Sequence, residues 1–265
     1  MAERRVEFDD AAAYDRYMGR WSRAIGGTFL TWLDAPEKRA WLDVGCGTGA
    51  FTDLILARAA PERVIGIDPS PAQIEHVTRT LAAPRAAFRV GSAVELPFGD
   101  GEFDVVVSAL VIHFFPDRPK AFREMLRVTR PGGIVAGYTW RKSDAINDAP
   151  YGPLARGVIE IAGDVMSSPT VPEAMPDGLR AALTVEGYAD PEITTIEASQ
   201  TFHDFEDYWV SQTGTFPHPV ARSVAALGDR DRERLRDLLR TTLPVAADGS
   251  VTYSARVTAF KARKQ

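Results

Sequence analysis

The chain has 265 residues, 45% of them hydrophobic, with 31 Lys+Arg against 36 Asp+Glu and a formal net charge of −5. That is enough apolar sequence for one large domain with a full core, and it argues against disorder. The acidic balance without a basic stripe argues against a nucleic-acid partner, no apolar run approaches the roughly 20 residues of a membrane span, and a single cysteine, Cys46, excludes an intrachain disulfide. The lone thiol, and an N-terminus with charge but no apolar segment, fit a reducing, cytoplasmic setting.

After a charged start, the stretch Ala11 to Trp21 has helical propensity, with Tyr14, Tyr17, Met18 and Trp21 at near-helical spacing. It serves either as an aromatic stripe docked on the domain or as a lid. Arg20 in it can fork onto a carboxylate or make a surface ion pair. A second helix is expected over Ile25 to Leu33, ended by Pro36. Trp41-Leu42-Asp43-Val44 then meets Gly45, Gly47 and Gly49, and an amphipathic segment follows from Ala50. This reads as strand, tight turn and helix, with backbone able to come close to a ligand. The spacing is GxGxG, so the dinucleotide fingerprint GxGxxG is not met. Strand two, residues 63–67, ends on Asp68, where an acid can accept hydrogen bonds from a ribose over the glycine turn. Ser70, Pro71 and Gln73 supply the N-cap, first position and reciprocal cap of a helix running to about Leu81.

Strand three is Ala87 to Val90, followed by Gly91-Ser92-Ala93-Val94 and Leu96-Pro97-Phe98. Strand four, Phe103 to Ser108, carries a valine run suited to burial on both faces. Its end opens into Ala109 to Asp117, which holds His113. That imidazole is either a general base or a ring that bonds backbone and shapes the pocket. A helix from about Pro119 follows, and Arg130-Pro131-Gly132-Gly133 turns into strand five, residues 134–139. Residues 141–178 hold five prolines and four glycines around one helical island near Leu154 to Ile161. Their apolar side chains demand packing, as a lid, a dimer face or both. Leu179 to Glu186 is a helix and Glu192 to Ala198 an outer strand. Asp204 caps a helix bearing Phe205, Tyr208 and Trp209. Residues 229–241 form an amphipathic helix, and Val251 to Phe260 alternates like an edge or hairpin strand. His203 and His218 do not make a metal pair, and no metal site is expected.

The motifs Asp43-Val44-Gly45-Cys46-Gly47-Thr48-Gly49, Gly66-Ile67-Asp68-Pro69-Ser70, Leu96-Pro97-Phe98, Phe103-Asp104 and Arg130-Pro131-Gly132-Gly133 resemble, in order, those of the class I S-adenosylmethionine-dependent methyltransferases. The likeness is to the small-molecule branch of the ubiquinone/menaquinone-biosynthesis type. It covers residues 41–140, and the stretch Tyr14 to Trp21 is similar to that family's cofactor-covering helix. The resemblance implies an α/β fold: a Rossmann-like, seven-stranded, mostly parallel sheet flanked by helices, with an antiparallel last strand and a helical cap. It implies a helical lid over residues 1–36, a cofactor-binding core over 37–140, a substrate-side insertion over 141–178, and the rest of the same fold over 179–265.

By the same resemblance, S-adenosyl-L-methionine is held by Tyr14, Met18, Arg20, Asp43, Gly45, Cys46, Gly47, Asp68, Pro69, Ser92, Ala93, Val94, Ser108 and His113. Many relatives carry an acid at the position of Ser92, where it meets the adenine amino group; here a hydroxyl stands there without charge. The expected reaction is methyl transfer to an oxygen, nitrogen or carbon of a small molecule, with His113 as candidate base. The rival readings are a non-catalytic cofactor-binding or regulatory protein and an NAD-dependent oxidoreductase, although no Tyr-x-x-x-Lys arrangement supports the latter.

Overall fold

A computed structural model of the chain describes residues 18–141, 148–165, 171–214 and 218–265. Seven strands form one sheet in the order β3-β2-β1-β4-β5-β7-β6. They are β1 (Ala40–Val44), β2 (Arg63–Asp68), β3 (Ala86–Val90), β4 (Phe103–Ala109), β5 (Thr129–Trp140), β6 (Glu192–Phe202) and β7 (Val251–Arg263). The pairings from β3 through β5 are parallel, and β7 runs antiparallel to both β5 and β6. All five residues of β1 are buried, as a strand covered on both faces requires. The expected α/β sheet with an antiparallel last strand is therefore present. In one detail the sequence misleads: β7 is not an edge strand but lies between β5 and β6, and its interior residues Val257, Ala259 and Phe260 are fully buried.

The described helices are α1 (Arg20–Leu33), α2 (Ala50–Arg58), α3 (Pro71–Thr80), α4 (Arg118–Val128), α5 (Gly152–Ala162), α6 (Pro176–Val185), α7 (Phe205–Thr213), α8 (Pro219–Ala226) and α9 (Asp229–Thr242). Ser70 and Asp117 cap α3 and α4, accepting from the N–H groups of Gln73 and Lys120. Where two helices were expected before β1, α1 runs unbroken from Arg20 through Gly26 and Gly27. Trp21, Ile25, Phe29 and Leu33 recur at every fourth position along its buried stripe. The glycines mark a close crossing: a Cβ on Gly26 would lie 2.8 Å from Leu54 and 2.9 Å from Phe51 of α2. One boundary differs. β5 begins at Thr129, which pairs with Phe103 ahead of an irregularity that spans Arg130 to Gly133, before regular pairing resumes at Ile134; α8 forms behind a His218 cap.

Two apolar layers sandwich the sheet. One joins Trp41, Val64, Val105 and Val107 to α1 and α2, and extends to Leu154 and Val158 of α5, Tyr208 of α7, Val220 and Val224 of α8, and Leu235 and Leu239 of α9. The other packs Leu42, Val44 and Val106 against Phe122 and Met125 of α4 and Leu179 and Leu183 of α6. β5 and β6 both run antiparallel to β7, so they end at the same edge of the sheet as β1, β2 and β4. The connections after β5 and β6, carrying α5 and α7 to α9, thus rise over that edge as a helical cap. Among the described residues no helix is long and apolar enough to cross a membrane.

The entry to α2 is the most constrained turn. Gly49 has φ +84°, and a Cβ there would lie 2.3 Å from Val77 of α3. Gly49→Ala combines left-handed strain with overpacking, each worth about 1–3 kcal/mol. Urea unfolding of this variant is expected to show a loss of about 2–4 kcal/mol with an unchanged m-value.

Candidate functional site

The site is built at the carboxyl ends of β1, β2 and β4. Register sets its first contacts: Asp43 lies beside Gly66 on β2 and Val107 on β4. The chain then turns through Gly45, Gly47 and Gly49, all with positive φ. The turn spends its own donors internally. The N–H groups of Gly45 and Cys46 both bond the Ile67 carbonyl, at 2.7 and 3.1 Å, and that of Gly49 bonds the Cys46 carbonyl at 2.9 Å. The Gly47 N–H donates to Asp68 Oδ2 at 3.1 Å. Asp68 Oδ1 accepts from Ser70 N–H at 2.9 Å, so this one side chain ties the glycine turn to the Pro69-Ser70 loop.

Asp43 is wholly buried. Its Oδ2 accepts the Thr52 hydroxyl at 2.6 Å, while Oδ1 has no hydrogen-bond partner. Loss of hydration pushes its carboxyl up to about 7; the Thr52 hydroxyl opposes that rise and the neighbouring Asp68 adds to it. Burial also raises Asp68, against the pull of the Ser70 and Gly47 N–H groups. No basic side chain contributes to either carboxyl. Cys46 is buried beside both acids, and burial first, then their charge, holds its thiol protonated and unreactive.

The remaining predicted residues fall around this pair to different degrees. Ser92 closes its own turn: its hydroxyl accepts from Val94 N–H at 3.4 Å, and its carbonyl accepts from Glu95 N–H at 3.2 Å. Ala93 is buried and Val94 half-buried beside it. This loop is brought to Asp68 by the Gly91 N–H, which bonds the Asp68 carbonyl at 3.0 Å. Ser108, at the end of β4, is fully buried with an unpartnered Oγ. His113 sits in a short 3-10 turn, Ile112–Phe114, with Nδ1 3.2 Å from the Thr139 hydroxyl and its ring 4.1 Å from that of Phe114. Met18 and Trp21 are buried in the α1 layer, Trp21 edge-on to Trp140 at 5.9 Å. Arg20 forks onto Asp207 of α7 at 3.0 and 3.1 Å, joining α1 to the cap. Tyr14 lies outside the described residues.

Three contributors escaped the sequence reading. Thr52 stands one helical turn after the glycines, so its proximity to Asp43 was open to inference from strand–turn–helix geometry alone. Thr139 needed the β4–β5 pairing, which sets Ala109 beside Tyr138. Leu110 had no sequence signal. It adopts φ +61°, a left-handed conformation unusual for a branched residue. This bend at the end of β4 sends Val111 against the glycine turn, where a Cβ on Gly45 would lie 2.5 Å from its Cγ2. Among the described residues no cluster of His, Cys, Asp and Glu is suited to a metal ion.

Residues 42–137 match the family described as Methyltransferase domain. The chain is 35% identical over 164 residues to 2-methyl-6-phytyl-1,4-hydroquinone methyltransferase of Synechocystis, covering 61% of this chain and 50% of that protein. It is 31% identical over 184 residues to arsenite methyltransferase of Halobacterium salinarum, covering 65% and 44%. The chain thus spans about half the length of these curated relatives. The crystal structure of the YcgJ protein from Bacillus subtilis superposes with a TM-score of 0.59 at 16% identity, over 91% of this chain and 97% of that one, and shares the fold.

The Asp43–Thr52 bond sets up a pH-dependent stability. Thr52→Val removes a hydrogen bond to a buried carboxylate, worth about 1.5–3 kcal/mol, and raises the Asp43 pKa further. A group raised in the folded state loses stability as pH rises through its folded pKa. The variant's deficit in urea unfolding is therefore expected to be small at pH 5.5, where Asp43 is protonated, and to grow through pH 7 toward pH 8.

Proposed function

We propose that the chain transfers a methyl group from S-adenosyl-L-methionine to an oxygen, nitrogen or carbon atom of a small molecule. The observation that carries this reading is the pair of carboxyls, Asp43 and Asp68, set under a glycine turn whose N–H groups at 45, 46, 47 and 49 are already bonded within the protein. A pyrophosphate would need those donors free and would meet two acids, so the arrangement is unsuited to NAD. A cation fits it. The buried, unpartnered Asp43 Oδ1 and Ser108 Oγ supply polar groups for the amino-acid end of the cofactor. When bound, S-adenosyl-L-methionine supplies a methyl group already activated on a sulfonium.

The chain's own residues then have distinct tasks. Asp68, which uses one lone pair on each oxygen for the turn and its loop, has further acceptor capacity for ribose hydroxyls. Ser92, Ala93 and Val94 flank the base and recognise it without charge. Asp43 and Ser108 orient the methionine portion, and Met18 and Trp21 exclude water from above, with Tyr14 as a further covering residue. Cys46 and Pro69 shape the walls. Thr139 and Phe114 hold the His113 ring, which takes the acceptor's proton where the attacked atom carries one. Alignment and exclusion of water account for the rest of the rate. The acceptor is a free small molecule rather than a nucleic acid, reached in the cytoplasm, and a homodimer is the proposed use of any apolar surface left by residues 141–178.

Calorimetric titration with S-adenosyl-L-methionine and, separately, NAD tests this. Binding of the first alone is expected, with Asp68→Ala weakening it about 10- to 100-fold, the range for lost hydrogen bonds to a charged group. Preference for NAD would overturn the reading, and binding without turnover across a methyl-acceptor screen would point to a regulatory protein. The pH dependence is a separate check. A cation beside Asp43 favours the carboxylate, so binding should tighten between pH 5.5 and 7.5 with proton release, seen as a buffer-dependent enthalpy. Asp43→Asn should bind more weakly and abolish that proton release.

A further inference from the structure

We propose that one face of α7, bearing Tyr208 and Gln212, is the polar contact surface for the methyl acceptor, and that the acceptor is a neutral, ring-bearing molecule with hydroxyl or carbonyl groups. The word acceptor rests on the methyltransferase reading above; the binding surface does not. The two residues are four apart in a helix and so share a face. Tyr208 is 0% and Gln212 1% exposed. Tyr208 Oη, Gln212 Oε1 and Gln212 Nε2 all lack hydrogen-bond partners. Buried polar groups in native proteins are almost always paired, and an amide left with both ends open calls for an explanation.

The surroundings sharpen the point. The His218 Nε2–H donates to the Gln212 backbone carbonyl at 2.8 Å, so the connection to α8 is pinned without using the amide side chain. The neighbouring phenol of Tyr253 is satisfied, donating to the Pro150 carbonyl. Tyr208 is not, although it is packed edge-on to Phe202 at 5.4 Å and to Tyr253 at 5.9 Å. Its location is functional in kind. α7 leaves the end of β6, on the same sheet edge as the glycine turn and His113. A continuous run of rings links the two regions: Trp140 at the end of β5 meets Trp21, Trp21 meets Tyr253 at 5.5 Å, and Tyr253 meets Tyr208. Arg20 of α1 clamps the outer side of α7 through Asp207.

The ligand's chemistry follows from the wall. A ring matches the aromatic surround, the phenol offers a donor, and the amide offers both donor and acceptor. A buried formal charge would have no close counter-charge there. The Arg156 guanidinium of α5 is felt at Tyr208, but it is exposed, and burial dominates in keeping the phenol protonated. Since both groups are covered, a ligand reaches them as the cap helices part.

Resorcinol, its carboxylated counterpart 3,5-dihydroxybenzoate, and toluene serve as probes, titrated into the whole chain with and without S-adenosylhomocysteine and followed by ligand-observed NMR. Resorcinol is expected to bind saturably, 3,5-dihydroxybenzoate and toluene at least tenfold more weakly. Tyr208→Phe and Gln212→Leu should each weaken resorcinol about tenfold, one lost hydrogen bond. The melting temperature of the ligand-free variants should hold or rise, because each substitution removes an unpaired buried group. A lower melting temperature with resorcinol affinity unchanged would assign the pair a structural role and overturn the proposal. So would equal binding of toluene, preference for the carboxylate, or no binding of any probe. Failure of the methyltransferase reading shows elsewhere, as absent S-adenosyl-L-methionine binding with resorcinol binding intact.

Discussion

Everything at the candidate site depends on a carboxylic acid placed where water does not reach it. Asp43 lies next to the end of the buried strand β1, and among the described residues its carboxyl accepts a hydrogen bond from Thr52 alone. Such a group is costly to ionise, and its pKa near 7 measures that cost. With Asp68 close by and no basic side chain acting on either, the two acids form a small region of unbalanced negative potential. Charge deficits of this kind are stabilised by a bound cation, which links the stability of the ligand-free protein to the class of ligand it takes.

The glycine turn is best understood as a consequence of that acid rather than as a phosphate cradle. Four of its N–H groups close on Ile67, Cys46 and Asp68, which stitches β1, β2 and the start of α2 together. A turn so closed is rigid without ligand, and rigidity lowers the ordering cost of binding. The left-handed Leu110 performs the matching task from β4. Strain at one branched residue directs Val111 onto Gly45 and sets the following segment, with His113, beside the turn. Two strand ends are thereby held in fixed relation by a steric contact and not by a shared ligand.

Much of this was legible in the sequence because it is local. The β1 apolar run, the three glycines, the Ser70-Pro71 cap and the valine run of β4 each specify conformation within a few residues, and each appears at its expected place. The reciprocal bond expected from Gln73 does not form, because the Ser70 N–H donates to Asp68 instead. What was not legible depends on elements distant in the chain. The helix ending near Trp21 and the one from Ile25 look separate until both are seen to pack one continuous buried stripe. The alternation in β7 looks like an edge until β6 pairs along its whole length. Arg20 has the chemistry of a cofactor ligand and of an ion-pair partner alike; only the fold brings Asp207, 187 residues later, within 3.0 Å of it.

The same distinction explains why the glycine turn and the helical cap are unequally readable. The glycine-turn side is made by residues 43–113, where strand ends succeed one another in order and short motifs carry the geometry. The cap side is made by the ends of β5 and β6 and by helices from two separate insertions. These meet only through the packed layer that joins Trp21, Trp140, Tyr208 and Tyr253. A cap assembled this way can change its polar groups without disturbing the glycine turn, since among the described residues no hydrogen bond runs between the two. What the cap offers a ligand lies in the few polar atoms, on Tyr208 and Gln212, that the described fold itself leaves unsatisfied.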